Sequence, residues 1–451
     1  MRPSLGRGTL TLGARLGALV ALASLLLPRA GSQAAVLDPK DITFRLAPGG
    51  LRLIIKEDRF APVVAIDIVV RAGSATETAA TAGASHFLEH LAFRGSENYA
   101  PGEAARLIDG LGGFLNAATL RDFTHYYVTV PSEHFSAALR LLADSVLRPT
   151  LPRPAFEQER VIIASEQRQL HDRPLQWLWD LSHEAAFSLH PYGRPISGTP
   201  DSSFLREDLL RYHKQWYLPN NMSVIIVGDV SPTGAAAEVE KAFAGVLPQP
   251  LPQVNRPAEP PLSGIKRIRR SAPWKQAYVM LSFHSPGLDH PREVVAADLA
   301  LSLLGEGHSS RLRRRLKEER QLVFEAGVEY LTTRDPGLFS LWATCAPDKT
   351  EDVREALLEE LRRLRREIVP PAELEKAKRL LAASYAFSNE TCTDQAAALG
   401  YYEGVGSFRF ATEYLSLVRS LTASDLRAFA LRYLDPESYV WCEAGPFEET
   451  E

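Results

Sequence analysis

The chain has 451 residues, 45% of them apolar and 24% charged, with a formal net charge of −4. This is the composition of a soluble globular protein of more than one domain, and it excludes a largely disordered chain. The charge balance leaves no global footprint for nucleic acid.

The N-terminal stretch "MRPSLGRGTLTLGARLGALVALASLLLPRAGSQA" carries Arg2, Arg7, Arg15 and Arg29 and no acidic residue. An apolar run from Leu16 to Leu27 follows the basic start, and Ser32 and Ala34 offer a small-residue cleavage site. That order predicts a signal peptide over residues 1–34 and a periplasmic or secreted mature chain. The run is shorter than the roughly 20 apolar residues that span a bilayer. A mitochondrial presequence is the rival reading, being equally arginine-rich. Presequences alternate charged and apolar residues, however, and this run is unbroken. Cleavage would remove four arginines and leave the mature chain at −8.

"APVVAIDIVVRAGS" (61–74) reads as a strand, and "GASHFLEHLAFRGS" (83–96) as the next helix. On a helix His86 and His90, four apart, share one face, with Glu89 beside them. Two imidazoles so placed can converge on one metal ion, and Glu89 could hold a water against it. The same spacing also arises from polar residues on a half-buried helix. "GGFLNAATLRDFTHYYVTVP" (112–131) reads as a turn at Gly112 and Gly113 followed by two paired strands. Catalytic zinc takes three protein ligands and leaves a position for water. A third donor is sought in "RPAFEQERVIIASEQRQLHDRP" (153–174), one predicted helix ending before Pro174. Glu159 and Glu166, seven apart, fall on one of its faces, although helical glutamates are ordinarily solvated.

"LPQPLPQVNRPAEPPLSG" (247–264) holds six prolines in eighteen residues and cannot continue a helix or a central strand. It reads as a linker between residues 35–246 and 265–446. The two halves end alike, on "EDLLRYHKQWYLPNNMSVIIVGDV" (207–230) and "SDLRAFALRYLDPESYVWCEAG" (424–445): an amphipathic helix, a Tyr-Leu, a turn, an apolar strand. The second half also opens on strand material, "QAYVMLSFHSPG" (276–287). This internal repeat predicts a duplicated α+β sandwich, each mixed or antiparallel sheet covered on one face by helices. "RLRRRLKEER" (311–320) interleaves bases with acids and reads as a solvated helix face. Cys345, Cys392 and Cys442 form no CxxC pair and read as small buried residues.

The H-x-x-E-H motif of His86, Glu89 and His90 resembles that of the inverzincin peptidases, the pitrilysin-type family that includes mitochondrial processing peptidase and insulin-degrading enzyme. The likeness is greatest to the shorter processing-peptidase branch. It extends through "GGFLNAATLRDFTHYYVTVP", "HPYGRPISGTPDS" (190–202) and "YLPNNMSVIIVGDV", covering residues from about 40 to 446. The resemblance implies a third ligand at Glu166, 76 residues after His90. It makes Glu159 the family's accessory glutamate. It implies one Zn2+ per chain, held by His86, His90 and Glu166, with Glu89 as general base in peptide hydrolysis. It also places Asn116, Ala117 and Ala118 on a strand edge that binds extended peptide. Where single-chain relatives carry an arginine and, seven residues on, a tyrosine, this chain has Lys317 and Phe324. That departure implies a homologous zinc-free partner subunit bearing the pair. A non-catalytic scaffold of the same fold is the competing expectation.

Overall fold

The computed structural model describes residues 37–199 and 204–448. The predicted signal peptide, residues 1–34, lies outside them. Among the described residues eleven strands form two sheets. The first comprises β1 (Ile42–Leu46), β2 (Arg52–Glu57), β3 (Val63–Val70), β4 (Phe114–Thr119), β5 (Thr124–Pro131) and β6 (Met222–Gly228). Its order is β1-β2-β6-β3-β5-β4. The second comprises β7 (Ile265–Ser271), β8 (Ala277–His284), β9 (Glu325–Tyr330), β10 (Leu338–Cys345) and β11 (Tyr439–Gly445), in the order β7-β11-β8-β10-β9. In each sheet one pair is parallel, β2 with β6 and β7 with β11, and the other pairs are antiparallel. Setting β1 aside, the two sheets share one topology, strand for strand.

The helices of the first half are α1 (Ala84–Leu91), α2 (Glu103–Gly110), α3 (Phe135–Leu147), α4 (Arg153–Gln169), α5 (Pro174–Ala186), α6 (Arg206–Trp216) and α7 (Pro232–Ala242). Those of the second are α8 (Pro291–Gly305), α9 (Thr350–Arg366), α10 (Pro371–Phe387), α11 (Cys392–Val405), α12 (Arg409–Ser420) and α13 (Ala423–Tyr433). The first sheet packs one face against α1, α3 and α7, in a core drawn from the first half alone.

The expected one-sided cover is incomplete. β6 and β11 are buried along their whole length, which requires both sheet faces to be covered. The second cover is exchanged between halves: α11 lies on β3 and β6, and α5 lies on β8 and β11. Two glycines let α11 approach. A Cβ at Gly400 would sit 2.5 Å from Asp67 Oδ2, and one at Gly404 would sit 2.4 Å from the Phe123 ring. Between them Glu403, fully buried, takes Arg52, Arg71 and the Ser223 hydroxyl from the first sheet.

Residues 247–263 have no helix or strand, as their prolines require. They are nonetheless anchored. The Glu259 carboxylate accepts the backbone N–H groups of Ser188, Leu189 and His190 and the Ser188 hydroxyl, at 2.7–2.8 Å. Arg256 joins Asp122 of the first half to Asp335 of the second at 2.7 and 2.8 Å. The basic stretch forms a wide π-type turn over Arg313–Glu319, its cations paired with acids that include Glu318, Glu319, Glu325, Glu359 and Glu360. All three cysteines are free; Cys345 and Cys442 are buried and Cys392 is half-buried. No helix among the described residues is long and apolar enough to cross a membrane.

Candidate metal centre

α1 is short, and its placement is fixed at its start. Gly83 precedes it with φ +90°, and a Cβ there would meet Ser197 O at 2.9 Å, so glycine is needed for both conformation and space. One face, with Phe87, Leu88 and Leu91, is buried in the core. The other turns His86 and His90 toward α4, the ring centroids 4.6 Å apart.

Glu166 meets them from α4. One donor atom from each of His86, His90 and Glu166 lies within 4.8 Å of the other two. Two imidazoles and a carboxylate are the donor set of a catalytic zinc site. His86 Nδ1 is also buried with no hydrogen-bond partner among the described residues, an open donor of the kind that calls for an explanation. These features fit a divalent ion of the zinc type.

Glu159, one turn pair earlier on α4, stands behind the set rather than in it. Its Oε2 lies 3.1 Å from His90 Nδ1 and its Oε1 lies 2.7 Å from the guanidinium of Arg94. The carboxylate is therefore tied to the ring nitrogen that points away from Glu166, whose Oε2 is 3.5 Å from His90 Nε2. It holds the His90 ring from behind and stands outside the three converging donors. Glu89 lies beside the histidines, and Thr119 at the end of β4 donates its hydroxyl to Glu89 Oε2 at 2.7 Å.

The field at the site is set by these carboxylates. Burial works against a charged His90, yet the hydrogen bonds to Glu159 and Glu166 and the charge of Glu89 raise it to about 10. Burial and the neighbouring His90 instead lower His86. The hydrogen bond from His90 lowers Glu166. Glu89, Glu159 and Glu166 thus place three carboxylates around the two imidazoles.

β4 is an edge strand of the first sheet among the described residues, with Asn116, Ala117 and Ala118 at its middle. Asn116 is exposed, and its Oδ1 accepts the Ala117 N–H at 2.9 Å. α1 packs beside this strand, so the edge runs past the metal centre. In the second half Lys317 Nζ is held by Glu325 Oε1 at 2.5 Å. Phe324 is 53% exposed, and its backbone N–H is bound to Thr344 O.

Sequence reasoning missed Thr119 and Arg94. Arg94 follows His90 by four residues, a helical spacing that could have singled it out. Thr119 becomes visible only when the β4 hairpin is folded against α1.

Residues 52–200 match the family described as "Insulinase (Peptidase family M16)", and residues 203–381 match "Peptidase M16 inactive domain". An uncharacterized zinc protease of Mycobacterium leprae is 30% identical over 412 residues, covering 89% of this chain and 91% of its own. Zinc protease PqqE of Helicobacter pylori is 27% identical over 424 residues, covering 92% and 95%. A crystal structure of a protease from Helicobacter pylori superposes with a TM-score of 0.84 at 25% identity, over 89% of this chain and 99% of that one. A peptidase M16 inactive domain from Pseudomonas fluorescens, 22% identical, shares the fold over 91% of this chain and all of its own, with a TM-score of 0.81. The chain belongs to peptidase family M16.

Proposed function

We propose that this protein is a zinc-dependent endopeptidase subunit acting on short or unfolded peptides. The observation that carries the reading is the convergence of His86, His90 and Glu166 with Glu89 held beside them. His86, His90 and Glu166 would hold the ion, and Zn2+ in such a set acidifies water and polarises a carbonyl as a Lewis acid. Glu89 accepts the proton of the attacking water and returns it to the leaving amine. Thr119 keeps one oxygen of Glu89 engaged, so the carboxylate faces the site in one orientation. An extended peptide pairs with the β4 edge at Asn116, Ala117 and Ala118 through backbone hydrogen bonds. That mode asks the substrate to be extended and reads little side-chain identity.

The reading includes a partner. Lysine lacks the guanidinium fork, and Phe324 has no hydroxyl to donate. Lys317 is, in addition, engaged by Glu325. A homologous zinc-free subunit with the arginine and tyrosine would complete the site, in a heterodimer around an enclosed cavity. The sequence of residues 1–34 supports export, which N-terminal sequencing of the mature protein tests.

The test of function is turnover of a quenched peptide by the purified chain, with and without such a partner and with zinc measured in parallel. Stoichiometric zinc, activity lost to a chelator and stimulation by the partner are expected. A scaffold would bind no zinc. Retention of stoichiometric zinc by the His86→Ala/His90→Ala double variant would refute the ligand assignment.

A further inference from the structure

Upstream of the motif, Glu77 is a carboxylate with no place in the proposed chemistry. It is 5% exposed, and both its oxygens are spent on the start of α1: Oε2 accepts the Gly83 N–H at 2.7 Å and Oε1 the Ser85 N–H at 2.8 Å. These groups belong to the helix end whose N–H donors have no partner within the helix. Ser85 immediately precedes His86. A second chain of bonds reaches the same turn: Thr76 Oγ1 and Ser85 Oγ each lie 2.8 Å from the hydroxyl of Tyr212, itself buried on α6. Arg194 binds the Glu77 carbonyl oxygen and brings its charge close to the carboxylate.

A buried carboxylate is costly to keep, since its lost hydration must be replaced by hydrogen bonds. Capping a helix does not require it. Serine, threonine or asparagine at the cap position satisfies the same donors from the helix's own sequence. Here the cap position is Gly83, which has no side chain, and the acceptor comes from six residues upstream in another segment. Glu77 therefore fixes more than helix content: it fixes where α1 starts relative to the loop before it. α1 spans only Ala84–Leu91 and carries both histidines and Glu89, so a shift at its start is passed to all three. From the other side α4 faces the two histidines, and Thr119 of β4 holds Glu89.

We infer that Glu77 is a positioning residue of the metal centre, setting the pitch of α1 so that His86 meets the ion together with His90 and Glu166. This rests on the proposed zinc reading and extends it to a residue that touches neither metal nor substrate.

The test uses the full chain. Glu77→Gln keeps size and one acceptor oxygen, but its amide group faces a second N–H and cannot accept from it. Zinc affinity, measured by competition with a chromophoric chelator, should fall roughly 10-fold, at the low end of what outer partners of metal ligands contribute. The visible spectrum of the Co2+-loaded protein should change, and kcat should fall with KM nearly constant. Leu357→Ala, buried on α9 against β8 and β10 of the second sheet, serves as a control that loses stability without altering the Co2+ spectrum. Tyr212→Phe removes only the hydroxyl bridging Thr76 and Ser85, and should change the spectrum in the same direction by less. Wild-type affinity and spectrum in folded Glu77→Gln would overturn the inference. If that variant does not fold, an unaltered spectrum in Tyr212→Phe overturns it instead. If the wild-type chain itself binds no zinc, the metal reading fails first.

Discussion

Replacing Glu159 with glutamine separates a ligand's support from the ligand itself. Glu159 is 1% exposed and bridges His90 Nδ1 at 3.1 Å to Arg94 at 2.7 Å. Glutamine keeps the shape and can still accept from one of the two, but its amide group then faces the other as donor against donor. Two effects compete. Removing a buried charge also removes its desolvation cost, and the Arg94 side chain, 44% exposed, can turn to water, so the loss of stability should be under about 1 kcal/mol. The effect on the metal should be larger. Loss of the carboxylate behind a ligating histidine weakens metal affinity about 10- to 100-fold, or roughly 1.4–2.7 kcal/mol. The assay is zinc competition against a chromophoric chelator at pH 7, with thermal unfolding followed alongside. Wild-type zinc affinity in a folded Glu159→Gln protein would falsify the assignment of Glu159 to the support of His90.

The other predictions probe separate parts of the molecule. Glu89→Gln should retain zinc and lose about 10²–10⁴-fold in peptide turnover, because the amide cannot take the proton; near-normal turnover would remove Glu89 from its role. Gly404→Ala forces a methyl into the Phe123 ring and should cost about 1–3 kcal/mol in denaturant unfolding; an unchanged midpoint would show that α11 does not press on the first sheet as described. Burial tends to raise Glu259, but its hydrogen bonds from His190, Ser188 and Leu189 prevail and lower it to about 2, below the ordinary 4.5. A depressed carboxylate contributes stability above the unfolded value and loses it as pH falls toward the folded one. Glu259→Gln should therefore flatten the decline of stability between pH 4.5 and 2, and an unaltered acid limb would remove the anchor from the linker.

The donors of the metal centre were legible because each sits on a periodic element. His86 and His90 obey helical spacing, and Glu159 and Glu166 share a helix face; the resemblance then supplied the expectation that Glu166 is the ligand and Glu159 the accessory. The contacts that arrange them come from elsewhere in sequence. Thr119 reaches Glu89 from a strand 30 residues away, and Glu77 reaches α1 across a turn with no spacing rule. The repeat was legible in "SVIIVGD" and "SYVWCEAG", the apolar strands β6 and β11. The exchange of α5 and α11 was not. Periodicity shows that a helix has an apolar face but not which sheet that face meets. The sign was there in Gly400 and Gly404, four apart on α11, which make sense only against a close neighbour.

That exchange leads to a last prediction, on whether either half can stand alone. Residues 35–246 look self-sufficient in sequence, with all the metal donors and a complete sheet. Yet the structure gives the first sheet two cores. One is built within the half. The other places Ile54, Ala65, Val69, Phe123, Ile225 and Val227 in a single cluster with residues of the second half. Removing the second half strips α11 from that face, and with it Glu403, the partner of Arg52 and Arg71. In return α5 would be left without β8 and β11, exposing Trp177, Leu178 and Ala186, now buried with Met280, Val440 and Cys442. Each buried side chain of this size contributes about 1.5–3 kcal/mol. Losing several together exceeds the net stability of about 5–15 kcal/mol that a domain possesses. Residues 37–246 produced alone should therefore be insoluble or bind dyes specific for exposed apolar surface. The same fragment co-expressed with residues 247–448 should reassemble and bind zinc as the intact chain does. A soluble, cooperatively unfolding first half that binds zinc unaided would show that the exchanged helices are dispensable to the metal centre.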